Sequence, residues 1–199
     1  MLKKLKQRRL RSKLLELAKS GDLQLWPKVR DELTVEDLTA PLDGHASALE
    51  LCIEQGQAKL LGEILHQFPE LNESQLSSGQ PIVAAVLASE QALLLLSAML
   101  SQGLGPDTEV AGKTLVELAL QHPPEQAMLL INRLAQHGAS LDTPKLLIHA
   151  IRSGHQPLVK FLADSGAPLV VEGVDGLDPE LVAFAQRAID DKKIRDMWA

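Results

Sequence analysis

The sequence predicts an all-α protein: an α-solenoid of about five helical pairs closed by a C-terminal capping helix. Two observations carry that expectation. The first is composition. Trp26, Phe68, Phe161, Phe184 and Trp198 are the only aromatic residues among 199, and Tyr is absent, yet apolar residues make up 45% of the chain. A core of Leu and Ala suits closely packed helices, whereas a sandwich would draw on aromatic and β-branched side chains. With charged residues at 23%, the chain is too apolar for a disordered one. The second observation is a recurring pair of apolar segments, the mark of a repeat architecture.

The pairs are LLELAKSGDLQLWPKVRDEL (14–33), ALELCIEQGQAKLLGEILHQFP (48–69), IVAAVLASEQALLLLSAMLSQG (82–103), LVELALQHPPEQAMLLINRLAQHG (115–138) and LLIHAIRSGHQPLVKFLADSG (146–166). Each is one apolar helix, a break and a second apolar helix. The breaks fall at Gly21, Gly56, Ser89, Pro123 and Gly154, in steps of 35, 33, 34 and 31. Four residues before each break stand Leu17, Cys52, Ala85, Ala119 and Ala150. A small side chain there lets the first helix of a pair lie close against its neighbour. Ser47 and Thr114 are placed to cap their helices by accepting a first-turn N–H; Gln80 and Lys145 stand at that position in two other pairs and are poorer caps. Pro123 and Pro124 can open a helix, because the missing N–H is one of the donors a first turn leaves unused. The first pair places Trp26 and Pro27 in its second helix. The last junction, SLDTPK, is too short for more than a simple turn.

After Gly173 and Gly176, Asp178 reads as an N-cap, Pro179 as the first helical residue and Glu180 as an early acid favoured by the helix field. Leu181, Phe184, Ala185, Ala188 and Ile189 follow at steps of three and four, an apolar stripe for a closing helix. Trp198 beyond it either packs back or protrudes.

These features resemble the ankyrin-repeat family over residues 12–170. The fourth unit carries the likeness best, in Gly112, Thr114, Ala119 and the run HGASLD at His137–Asp142. The last contributes Thr143, Ala150, Gly154, His155, Leu158, Val159, Leu162, Gly166 and Ala167; the second contributes Asp43, Gly44, Ser47, Leu49, Cys52 and Gly56. The third matches through Gly79, Pro81, Ala85 and Gly103, with Ser89 in place of the helix-linking Gly. No unit holds the family's full opening tetrapeptide. A HEAT-like or irregular α-solenoid, or a plain helical bundle, would share the Leu-rich faces; the period and the HGASLD run favour the ankyrin likeness. The expected organisation is a repeat array with a basic leader over 1–170, then a loop and capping helix over 171–199.

The 20 Lys+Arg and 26 Asp+Glu give a formal net charge of -6. Eight of the basic residues and a single acid lie in residues 1–19, so a basic leader precedes an acidic body. An acidic body argues against a duplex nucleic-acid binder, which needs many cations on one face. One cysteine, Cys52, excludes an internal disulfide and a cysteine-rich zinc site, and its small-residue position makes it a buried, inert thiol. No apolar run reaches the roughly 20 residues of a membrane span. The N-terminus has no apolar segment behind its basic residues, so it is no secretory signal. The expectation is a complete cytoplasmic protein, monomeric when alone.

Chemistry is sparse. His45, His66, His122, His137, His149 and His155 show no HxxxH or HExxH spacing, so no metal site is expected. The glycines punctuate helices at the repeat period and form no phosphate cradle. No catalytic residue, cofactor or enzyme activity is expected.

What remains is surface. The ankyrin resemblance implies that hairpin fingers and first helices line a concave groove for a protein partner. The finger tips would be Asp43-Gly44-His45, Ser77-Ser78-Gly79 and Val110-Ala111-Gly112. Partner-binding candidates on this reading are His45, Leu51, Glu54, Gln55, Leu87, Leu118, Gln121, His122, His149 and Arg152. Among them Leu51, Leu87 and Leu118 equally suit sealing one helix against the next. The second surface is the leader, with Lys3, Lys4, Lys6, Arg8, Arg9, Arg11 and Lys13. Its leucines do not align on one helix face. It suits a contact with the acidic body, or a weak electrostatic contact with nucleic acid or anionic lipid over residues 1–13, as in an adaptor docked through its leader.

Overall fold

The computed structural model describes residues 2–42 and 44–198, with side chains from Leu5 onward. Asp43, at the tip of the first finger, lies outside the described residues. The protein is all-α apart from two short hairpins among the described residues, and divides into two compact units, Met1–Gly105 and Pro106–Ala199.

In the first unit, α1 (Leu2–Ser20) joins the leader and the first predicted helix into one element. It stops at Gly21, whose N–H reaches Leu17 O at 2.8 Å with φ +65°. The expected second helix of this pair does not form. Trp26–Lys28 and Arg30–Glu32 are instead two 3-10 turns, closed by Val29 N–H to Trp26 O at 3.1 Å and Leu33 N–H to Arg30 O at 3.2 Å. Pro27 is the reason. Inside an α-helix it would lack a donor and clash with the preceding turn, whereas the start of a 3-10 turn accepts it. Trp26 is buried there. A short helix that the sequence reading missed, α2 (Val35–Thr39), follows a Thr34–Asp37 capping box.

β1 (Pro41–Leu42) and β2 (His45–Ser47) then pair as an antiparallel hairpin leading into α3 (Ala48–Glu54) and α4 (Ala58–Gln67). A 3-10 turn at Pro69–Glu73 and a single bridge between Gln75 and Pro81 precede α5 (Ile82–Ala88) and α6 (Ala92–Ser101). This second finger is one bridge long, because Pro81 has no N–H with which to extend the ladder. α3 packs on α1, α2 and α4, and α6 packs on α4 and α5.

In the second unit, β3 (Glu109–Val110) and β4 (Lys113–Thr114) form a hairpin turned by Ala111 and Gly112, both at positive φ, as the tightest hairpin loops require. α7 (Leu115–Ala119) and α8 (Pro124–Gln136) follow. Residues 139–143 hold no strand. There Ser140 N–H donates to Asp107 Oδ1 at 2.8 Å and Thr143 N–H to Leu141 O at 2.8 Å, so the last junction is the simple turn expected. α9 (Pro144–Arg152), α10 (Gln156–Asp164) and α11 (Pro179–Met197) complete the chain. α10 packs on α8, α9 and α11, and α11 also touches α9.

Caps fall where the residues predict them. Ser47 Oγ accepts from Glu50 N–H while Glu50 accepts the Ser47 N–H, and Thr114 and Glu117 repeat the exchange. Asp178 accepts from Glu180 N–H at 2.9 Å. Such a cap contributes about 1 kcal/mol. α5 and α9 start without a side-chain cap. The core is aliphatic: Leu17, Cys52, Ala119 and Ala150 are fully buried, and only Ala85 of the five pre-break residues keeps partial exposure. Gly56 shows why one break is glycine. Its φ is +66°, and a Cβ there would lie 2.4 Å from Gln91 Cγ.

Candidate functional site

Each unit carries a groove built from the same parts, a finger and the first helices of its pairs. In the first unit a cavity of about 660 Å³ lies between the finger at Ala46 and α3 on one side and the Leu76–Gln80 finger and α5 on the other. His45, Glu54 and Gln55 line it, and all three are exposed. His45 is positioned by β2, and Lys19 Nζ donates to its Nε2 at 3.2 Å.

Glu50, largely buried, is the wall between cap and finger. Its carboxylate accepts the Ser47 N–H at 2.8 Å and the Ser77 hydroxyl, which stands 2.6 and 2.8 Å from its two oxygens. Burial opposes the charge, but the hydrogen bonds from Ser77, Ser47 and the Ser78 backbone outweigh it and hold Glu50 below the usual carboxylate range. One carboxylate thus caps α3 and anchors the next finger. No Lys or Arg lines this groove; its formal charges are Glu50, Glu54 and Glu90.

In the second unit a cavity of about 720 Å³ lies beside α7 and α9 and under the loop after α10. Gln121, His149 and Arg152 line it, all exposed. Its apolar surface comes from Leu120, Leu146, Ile148, Val170 and Val174, and its cations are Lys113, Lys145 and Arg152. Among the described residues none of these three cations forms a salt bridge. The carboxylates on the lining are Glu117 and Glu172. Glu117 accepts the Thr114 N–H at 2.9 Å and touches no finger, since the following junction has none.

The other predicted residues are placed differently. Leu51 and Leu87 are 8% and 4% exposed, so these two are core side chains and not a partner surface. The rotation of α3 and α5 turns them inward to seal helix against helix. Leu118 and His122 are half-buried and line neither groove. Sequence reasoning missed Lys113, Lys145, Ile148 and the Val170–Val174 loop. In sequence Lys145 reads only as a poor cap, and the loop only as a connection.

The remaining reactive groups have local partners. Burial pushes the Cys52 thiol up to about 12, and its Sγ donates to Gln57 O at 3.4 Å. His155 Nδ1 accepts the Leu158 N–H at 3.2 Å as the cap of α10, with Nε2 3.4 Å from Glu125. Among the described residues no group of three or more His, Cys, Asp or Glu is disposed to hold a metal ion.

In the leader, Lys6 pairs with Glu32 at 3.3 Å and Arg11 donates to Pro41 O at 2.8 Å, while Arg8, Arg9 and Lys13 are exposed. At the other end Ile194, Met197 and Trp198 are exposed, so Trp198 protrudes. No helix among the described residues is long and apolar enough to cross a membrane.

The fold and its grooves define an all-α protein of paired short helices with hairpin-walled clefts. No protein-family model, no curated protein and no solved structure matches the chain.

Proposed function

We propose that the chain is a protein-interaction module of divergent ankyrin-type repeats that holds a protein partner against its fingers and first helices, without turnover or cofactor. The observation that supports this most is the position of six exposed side chains. His45, Glu54 and Gln55 line one groove, and Gln121, His149 and Arg152 line the other. Each groove mixes apolar floor with polar rim, the composition of a moderate protein interface. Grooves of this size between secondary elements are ordinary binding places.

The test is affinity capture from the cells that make the protein, with wild-type chain beside two variants, Glu54→Lys/Gln55→Lys and Gln121→Glu/Arg152→Glu. These positions are exposed, so the variants fold. A protein retained by wild type at low and high salt and lost with either variant supports the module. Capture indifferent to both variants contradicts it.

A second reading keeps the leader as the docking element, because Arg8, Arg9 and Lys13 project from α1 without an ion pair among the described residues. On that reading capture is carried by nucleic acid or anionic lipid and disappears with salt.

A further inference from the structure

We infer that the groove of the second unit takes a short acidic and aliphatic segment of a protein partner. Its aliphatic side chains sit on Leu120, Ile148 and Val170, and its carboxylates meet Lys113, Lys145 and Arg152. The inference rests on the interaction-module reading and names the chemistry of the partner at one groove.

Charge complementarity carries it. Three cations stand on the rim of a single cavity, and among the described residues none has an ion-pair partner. In the same unit Lys160, Lys192, Lys193 and Arg195 pair with carboxylates while, among the described residues, Arg133 and Arg187 do not, so what sets the three apart is that they converge unpaired on one cavity. The carboxylates on the lining do not cancel the three. Glu117, which caps α7, and Glu172 keep their charges, so the lining holds three cations against two carboxylates, a formal +1. The floor supplies the other half of the recognition. Val170 is 49% exposed beside the buried Leu120 and Ile148, so a branched aliphatic side chain seated there would be removed from water on both faces.

Size limits the occupant. A cavity of about 720 Å³ holds a few side chains and not a folded domain. The first unit's groove makes the assignment selective. With Glu50, Glu54 and Glu90 on its lining and no Lys or Arg, it repels the same segment.

The experiment selects short random peptides displayed on phage against the immobilised full chain, then measures the winners by fluorescence anisotropy. The comparison proteins are Lys113→Glu/Arg152→Glu and Glu54→Lys/Glu90→Lys, each checked for a wild-type melting curve. Lys145→Glu alone is the second variant should the double one fail to fold. The expected winners carry Asp or Glu beside Leu, Ile or Val. They bind about tenfold more weakly to Lys113→Glu/Arg152→Glu, as for two exposed ion pairs turned repulsive, weaken with salt, and are indifferent to Glu54→Lys/Glu90→Lys.

Winners without acidic residues, or winners that ignore the Lys113 and Arg152 changes, overturn the assignment. Winners sensitive only to Glu54→Lys/Glu90→Lys overturn it while leaving the module reading intact. A selection that yields no peptide overturns both. Displacement of the winners by a single-stranded oligonucleotide at equal charge concentration assigns the cations to nucleic acid instead.

Discussion

The two units place the same capping box at the mouth of the same kind of groove and put it to different use. In the first, Glu50 caps α3 and also holds the next finger through Ser77. In the second, Glu117 caps α7 and nothing more, because residues 139–143 form a turn where a finger would stand. Lys145 at the start of α9 and the loop after α10 occupy the vacated wall. One carboxylate closes a groove with negative lining; its counterpart leaves a groove whose lining is cationic. The difference teaches that in this scaffold a shortened junction, more than any change of helix, decides what a groove presents to a partner.

The largest effect that bears on this comparison comes from charges placed in the core. Leu87→Glu is expected to cost about 3–5 kcal/mol, since it buries an uncompensated carboxylate. Gln121→Glu at the exposed rim of the other groove stays within about 0.5 kcal/mol. Urea unfolding of the two variants separates them, and a mild Leu87→Glu would return that residue to the binding surface.

Next come the caps themselves. Glu50→Ala leaves the Ser77 hydroxyl and the Ser47 N–H without their acceptor and is expected to cost about 2–3 kcal/mol. Glu117→Ala loses a cap alone, about 1 kcal/mol. Equal costs in thermal or urea unfolding would remove the distinction drawn between the units.

Glycine gives a smaller contrast. Gly56→Ala and Gly154→Ala both force Ala into the left-handed region, at about 1 kcal/mol or somewhat more. Only Gly56 also meets a neighbour, with Gln91 Cγ 2.4 Å from the added Cβ, while Gly154 has open space. Gly56→Ala is expected to be the worse by about 1 kcal/mol.

The smallest effect is in pH. Glu50 is held below the usual carboxylate range, so its contribution to stability is fully present above that range and is lost as pH falls through its lowered value. Asp164 in the second unit shares the direction: burial opposes its charge, and Lys160 and Arg195 overcome that opposition. Its partners are exposed, so salt weakens its part, whereas the part due to Glu50 rests on short hydrogen bonds and persists. Acid titration of stability in Glu50→Gln and Asp164→Asn, at low and high salt, tests the pair.

Much of the local structure was legible because it depends on neighbours in sequence. Ser47, Thr114 and Asp178 cap as their residue types require. Cys52, Ala119 and Ala150 are buried at the spacing that marks them, and the SLDTPK junction is the turn its length allows. Other features depend on contacts that sequence does not order. Leu51 and Leu87 are buried, and which face of α3 and α5 turns inward is set by packing against neighbouring helices that the local sequence does not specify. The second helix of the first pair gives way to 3-10 turns because Pro27 outweighs the apolar pattern around it. Of the candidate grooves, the exposed polar residues His45, Glu54, Gln55, Gln121, His149 and Arg152 were legible, and Lys113 and Lys145 of the second were not. Lys113, Lys145 and the Val170–Val174 loop are far apart along the chain and meet only once α9 starts without a finger.

The most direct measurement is hydrogen–deuterium exchange of the full chain with and without a saturating peptide from the phage selection. The account predicts added protection in residues 113–121, 144–152 and 170–174, with α1 and the Leu76–Gln80 finger unchanged. Protection confined to α1, or none at the second unit's groove while the peptide is bound, would contradict it.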